Sequence, residues 1–213
     1  MSKTTTTAAT PPNTPRPMTK AEIEAAAQAD PDAQPLTEAD MATMPRIPRA
    51  KTLRRALGLT QQEFATRYHI PLGTLRDREQ GRAEPDQPVR AYLKAIAGNA
   101  SPIIPTPQPP IDKTTGSPYL MSTFEWDDTK ATLNLQRHGI TFETATHAFR
   151  DPFAIEWIDT RQPYAEERVI LLALAAGIIL YVAYTERGDT IRLISARRAT
   201  RHEQNHYYRR NTP

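Results

Sequence analysis

The chain has 213 residues, 24% of them charged and 38% hydrophobic, enough to bury a core in one domain or two small ones. It contains no cysteine, which excludes a disulfide framework, thiol catalysis and cysteine-based metal sites. The net charge of +3 hides blocks of about −5 (17–44), +6 (45–94), −5 (121–167) and +5 (187–213), a pattern that points to a polyanionic partner and to pairing within the chain.

In chain order, residues 1–17 are rich in Thr and Pro and read as a disordered tail. They lack the apolar stretch of a secretory signal, so a cytoplasmic location is expected. Residues 18–45 form an acidic arm with two helical candidates, KAEIEAAAQ and TEADMATM, separated by DPDAQP. Residues 46–98 read as helices throughout. Residues 99–121 hold six prolines between Pro102 and Pro118 and read as a semi-extended linker between two domains. Residues 122–210 form the second domain.

Within 46–98, the stretch KTLRRALGLTQQEFATRYHIPLGTLRDREQG carries local stop and start signals. Gly58 ends one helix, and Thr60 with Glu63 makes a capping box for the next. His69-Ile70-Pro71 breaks that helix, Pro71 suits a new start, and Gly81 closes the third. Two short helices with a tight break form a helix-turn-helix pattern. The segment resembles the Cro/repressor-type (xenobiotic-response-element) family. The resemblance implies that Leu72, Gly73, Thr74 and Arg76 reach base edges in the major groove, with Arg76 in position to pair with guanine. It implies that Gln61 and Gln62 meet phosphate, and that Arg54 and Glu79 tie the first helix to the third. Arg78 departs from the pattern, standing where many relatives have an aromatic residue.

From residue 122 the order reads strand, two helices, four strands, helix, implying a small α+β domain with an antiparallel sheet. Lys130, Asn134 and His138 fall at i, i+4 and i+8 and share one helix face. The run from Val169 to Tyr184 is too short for the about 20 residues that span a bilayer, and glycine interrupts it. It reads instead as two strands turning at Gly177, with Gly188-Asp189 a second turn. In TIRLISARR, Ile191 and Leu193 lie on one side of the pleat, Arg192 and Ile194 on the other. Phe124 and Trp126 read as core.

The ordered motifs FEWDDTKATLNLQRHGITFETA, EER and TERGDTIRLISARRAT resemble the BrnT toxin family, small ribonucleases of RelE-like fold. The resemblance implies RNA cleavage, inhibition of translation and a partner antitoxin that represses its own operon. Attack by a ribose 2′-hydroxyl needs a base, charge stabilisation and an acid. Arg192, Arg197 and Arg198 are expected to hold phosphates at a sheet edge, with Arg168 and Arg187 on the same face. Glu167 or His138 is the expected base, and Tyr208 would stack on a base or orient a phosphate. The plain alternatives are that Arg197 and Arg198 neutralise acids elsewhere, and that His138 sits at a helix end stabilised by the dipole. No cofactor or metal is expected: His202 and His206 are at i and i+4 but lack a third ligand.

Together these features describe two domains, an all-α helix-turn-helix bundle followed by a small α+β domain. The expected partners are operator DNA, RNA and further copies of the chain in a homo-oligomer, with ribosome association open and no membrane. The acidic arm is the expected cover for the basic RNA site. The competing reading is a DNA-binding regulator whose toxin-like domain is inactive and serves protein interaction.

Overall fold

The computed structural model describes residues 17–82, 86–99, 123–188 and 190–211. The tail at 1–16, the proline-rich stretch at 100–122 and Asp189 of the second turn lie outside the described residues. The acidic arm supplies α1 (Lys20–Ala29) and α2 (Glu38–Thr43). Each starts at a reciprocal capping box, Thr19 with Glu22 and Thr37 with Asp40.

A helical bundle follows: α3 (Arg49–Ala56), α4 (Gln61–Arg67), α5 (Leu72–Glu79) and α6 (Gln87–Asn99). The expected signals operate. Thr60 and Glu63 form a capping box at α4, and Gly81 lies beyond the end of α5 at φ 68°, a left-handed conformation that glycine adopts without strain. Leu53, Phe64, Leu75 and Leu93 close the bundle core. Arg54 donates to both carboxylate oxygens of Glu79, at 2.6 and 3.0 Å, and so ties α3 to α5.

The second domain runs β1 (Thr123–Glu125), α7 (Asp128–His138), α8 (Phe142–Thr146), a 3-10 turn (His147–Arg150), β2 (Ile155–Ile158), β3 (Arg168–Ala175), β4 (Ile178–Arg187), β5 (Thr190–Arg198) and α9 (Arg201–Asn211). The sheet order is β1-β5-β4-β3-β2. Most pairs are antiparallel, but β1 lies parallel to β5, with Phe124 beside Ile191. The expected antiparallel sheet thus carries one parallel pair at its edge: the two strands are far apart in sequence, and α7 to β4 form the crossover that a parallel pair requires.

Both faces of the sheet are covered, which is why β3 and β4 are nearly continuous in apolar residues. Val169, Leu171, Leu180 and Val182 point to one core with Phe142 and Phe149. Ile170, Leu172, Ile179 and Tyr181 point to the other, where Ala33, Leu36, Met41 and Met44 of the arm pack with Trp157 and Tyr207. The arm therefore belongs to the core of the second domain. Residues 45–47 then run along the outer edge of β2, where Ile158 N donates to Pro45 O (2.8 Å) and Ile47 N to Glu156 O (3.1 Å). The bundle docks through α3: Arg55 and Thr52 donate to the buried Glu156, which also accepts from Tyr184.

Candidate functional site

Strand β5 carries a bulge. Ala183 pairs with Ser195 but Tyr184 pairs with Leu193, leaving Ile194 as an extra residue. Simple alternation would place Arg198 on the side of Arg192. The bulge resets the parity, so Ser195 and Arg197 share the face of Arg192, while Arg198 registers with Leu180 on the opposite face. Arg168, Thr185 and Arg192 consequently form a row across β3, β4 and β5. A cleft of about 210 Å³ opens over this row, lined also by Asp127, Lys130, Glu166, Leu193 and Ile194.

The sheet face brings some expected site residues together and separates others. Arg168 and Arg192 line the cleft. Arg187 lies beside it, held by Glu166 (2.7 Å) and Glu125 (3.1 Å). Glu167 is exposed and is not among the cleft-lining residues; Glu166, one residue earlier, is. Arg197 is 1% exposed and sits in a two-point pair with Glu203, both contacts 2.8 Å, with its guanidinium 3.9 Å from the centre of the Tyr181 ring. It holds a fold element rather than a solvent-facing edge. Tyr208 is 55% exposed and does not line the cleft. The aromatic ring over Arg168 is that of Tyr164, at 4.5 Å.

Helix α7 aims its expected face at the sheet. Asn134 donates to Ala196 O (2.8 Å) and accepts from Ala196 N (2.9 Å), so a side-chain amide takes the place of a strand where β1 has ended. Lys130 and His138 flank it, and both meet the arm. Asp30 accepts from His138 Nε2 (2.8 Å), Ser195 Oγ (2.8 Å) and Arg137 Nη1 (3.0 Å). Asp32 accepts from Arg168 Nη2 (2.8 Å) and Lys130 Nζ (2.9 Å). Between and beyond them, Ala33 O accepts from Arg197 Nε (2.7 Å), and Leu36 N donates to Glu203 (2.9 Å). Burial pushes the Asp30 carboxyl up, but the hydrogen bonds from His138 and Ser195 outweigh it and hold the group well below the usual carboxylate range. Asp32 is lowered likewise against burial, by Arg168 and Lys130. Only their acidity and position in DPDAQP marked these two residues in the sequence.

On the bundle, Gly73, Arg76 and Gln62 are exposed, with Gln61, Leu72 and Thr74 partly so. A side chain at Gly73 would meet nothing within 4 Å, so the start of α5 is open. Gln61 donates to Glu79 (2.8 Å), which ties the start of α4 to the Arg54–Glu79 pair. Arg76 Nε reaches Gln61 at 3.4 Å. Among the described residues no three His, Asp or Glu side chains are grouped as metal ligands, and no helix is long and apolar enough to cross a membrane.

Comparison with known proteins divides the chain in the same places. A family model described as "Ribonuclease toxin, BrnT, of type II toxin-antitoxin system" matches residues 126–203. A helix-turn-helix family model matches residues 51–89. A solved structure of a helix-turn-helix XRE-family-like protein from Agrobacterium tumefaciens is similar, at 75% identity over 24% of this chain and 84% of that one, with a TM-score of 0.24. No curated protein matches the chain. The cleft-lining residues fall inside the toxin match, whereas Asp30 and Asp32 lie outside both matches. The chain thus joins a segment that matches the helix-turn-helix family to a segment that matches the BrnT toxin family in one polypeptide.

Proposed function

We propose that the chain is a self-contained toxin–antitoxin module: a repressor of its own operon tethered to an RNA-cleaving domain that the acidic arm holds shut. The observation that supports this most directly is the seating of Asp30 and Asp32 on His138, Arg137, Lys130 and Arg168. Two carboxylates two residues apart occupy the cations that an RNA backbone would need. With the arm lifted, Arg168, Arg192 and Lys130 would hold the scissile phosphate and offset charge on the phosphorane. His138, its Nε2 released from Asp30, would take the proton from the ribose 2′-hydroxyl as oxygen bonds to phosphorus, and the 5′-oxygen would leave with a proton drawn from water. Arg197 would position the site through Glu203 and the sheet. Leu72, Gly73, Thr74 and Arg76 would read operator bases while Gln61 and Gln62 meet phosphate. Assembly of the repressor as a homo-oligomer on DNA and action of the toxin at the ribosome belong to the same reading.

The test uses the full chain. Deleting the arm would strip Trp157 and Tyr181 of their cover, so point changes are preferable. Asp30→Asn with Asp32→Asn should arrest growth and degrade total RNA on induction. Adding Arg168→Ala and His138→Gln should abolish both effects. Footprinting on the upstream region should show salt-sensitive protection that Arg76→Ala weakens. A second reading, a regulator whose toxin-like domain only mediates contacts, is favoured by the burial of arm residues Ala33 and Leu36 in the core of that domain. Unchanged growth and intact RNA from the folded Asn double variant would establish it over the first.

A further inference from the structure

A second, larger cleft lies between the bundle and the toxin domain. It measures about 650 Å³ and takes walls from both: Arg49 and Thr52 of α3, Arg78 of α5, Arg90 and Lys94 of α6, and Arg210 of α9. Arg46, preceding α3, adds a sixth cation, and Ile47, Pro48, Ala154 and Ile155 form an apolar wall. Among the described residues the one carboxylate that lines it is Glu156, and that group already accepts from Arg55, Thr52 and Tyr184. Five arginines thus converge with one carboxylate among the described residues.

Two further observations point to a missing anion. Arg49 Nε and Nη2 are buried and donate to nothing, although buried donors are nearly always partnered. Arg78 and Arg210 make no ion pair among the described residues. The neighbouring groups register the positive field. Burial and Arg210 lower Arg46, and burial with Arg46 and Arg210 pushes His206 down to about 4.

We propose that this cleft binds a nucleoside polyphosphate, its phosphates among the five arginines and its nucleoside against the apolar wall. The volume suits a small ligand, within the range of about 300–1,000 Å³ typical of such pockets. A DNA duplex is too wide to enter, and the residues expected to read DNA, Gly73 and Arg76, do not line it. Because both units contribute cations, a bound nucleotide would lock the bundle onto the toxin domain.

The full chain is titrated by calorimetry, at fixed salt, with inorganic tripolyphosphate, GTP, ATP, guanosine and a short single-stranded RNA. Expected are one saturable site for the nucleotides, several-fold weaker binding of tripolyphosphate, and none of guanosine. Arg90→Glu with Arg210→Glu should weaken nucleotide binding about tenfold or more, since charge-assisted contacts to phosphate are the strong ones. Arg49→Met should do the same. Arg76→Glu, on the DNA face, should leave it unchanged. The melting temperature of each unliganded variant controls for folding. The proposal is overturned by the absence of saturable binding, by equal loss in Arg76→Glu, or by single-stranded RNA outcompeting the nucleotides. Since none of these readouts involves RNA cleavage or repression, the result stands apart from the function proposed above.

Discussion

Replacing Asp30 by Asn keeps its shape and removes its charge. The carboxylate is 3% exposed and receives donors from His138, Ser195, Arg137 and the backbone N–H of Asp32, all at 2.8 to 3.0 Å. An amide would turn one acceptor into a donor facing donors. Removing one partner of a buried pair costs about 3–5 kcal/mol. Arg137 is 41% exposed, so its share is small, and the low end, about 3 kcal/mol, applies. At about 1.4 kcal/mol per tenfold, the ratio of undocked to docked arm should rise about 100-fold. Amide hydrogen exchange reads this directly. Leu36 N–H, which donates to Glu203, should exchange about 100-fold faster, while Phe64 N–H in the bundle keeps its rate. An unchanged rate at Leu36 in the folded variant would refute the reasoning, because Asp30 would then not hold the arm in place.

The arm's pH dependence has a fixed sign. Asp30, Asp32 and Glu203 are all held below the ordinary carboxylate range, so their stabilisation is complete above about pH 5 and is lost as pH falls toward the lowered values. Leu36 exchange protection should accordingly be retained at pH 5, and loss of protection there would contradict the assignment. Arg54→Ala should strand Glu79, which is 5% exposed, and cost about 3 kcal/mol; thermal unfolding and duplex binding should fall together, and an unaltered melting curve would speak against the anchoring role. Asn134→Leu should leave both backbone groups of Ala196 without partners and destabilise the domain by about 2–3 kcal/mol, read by denaturant titration; a loss below about 0.5 kcal/mol would mean the amide is not needed to finish the strand.

Local signals made much of this legible in the sequence. Capping boxes, glycine stops and the break at Pro71 delimit the bundle helices, because each satisfies specific backbone groups near in sequence. The face shared by Lys130, Asn134 and His138 follows from helix geometry alone. What the sequence could not carry was long-range or cumulative. One extra residue at Ile194 reverses the side on which Arg197 and Arg198 lie, and nothing in TIRLISARR marks it. Glu203 captures Arg197 across a strand–helix turn, turning an expected phosphate ligand into a buried pair. The parallel pairing of β1 depends on where α7 and α8 return the chain. The charge of the acidic arm pointed to pairing with cations elsewhere in the chain, which Asp30 and Asp32 make. That its Ala33, Leu36 and Met41 would complete a core was not legible, since isolated apolar residues in an acidic stretch show no period.

The location of Asp30 and Asp32 in the same chain as their target changes the kind of equilibrium involved. Closing is unimolecular, so it does not depend on how much protein a cell contains. On the proposed function, dilution would not open the site, and unequal synthesis of toxin and antitoxin would not arise. On that reading, every copy would leave the ribosome with its inhibitor attached, Asp32 on Lys130 and Arg168. A separate toxin is switched on when its partner becomes scarce; this one would be switched on only by an event that acts on individual molecules, such as a cut in the backbone or a ligand that competes for Asp30 and Asp32. Its output would then count events rather than read a ratio of two concentrations.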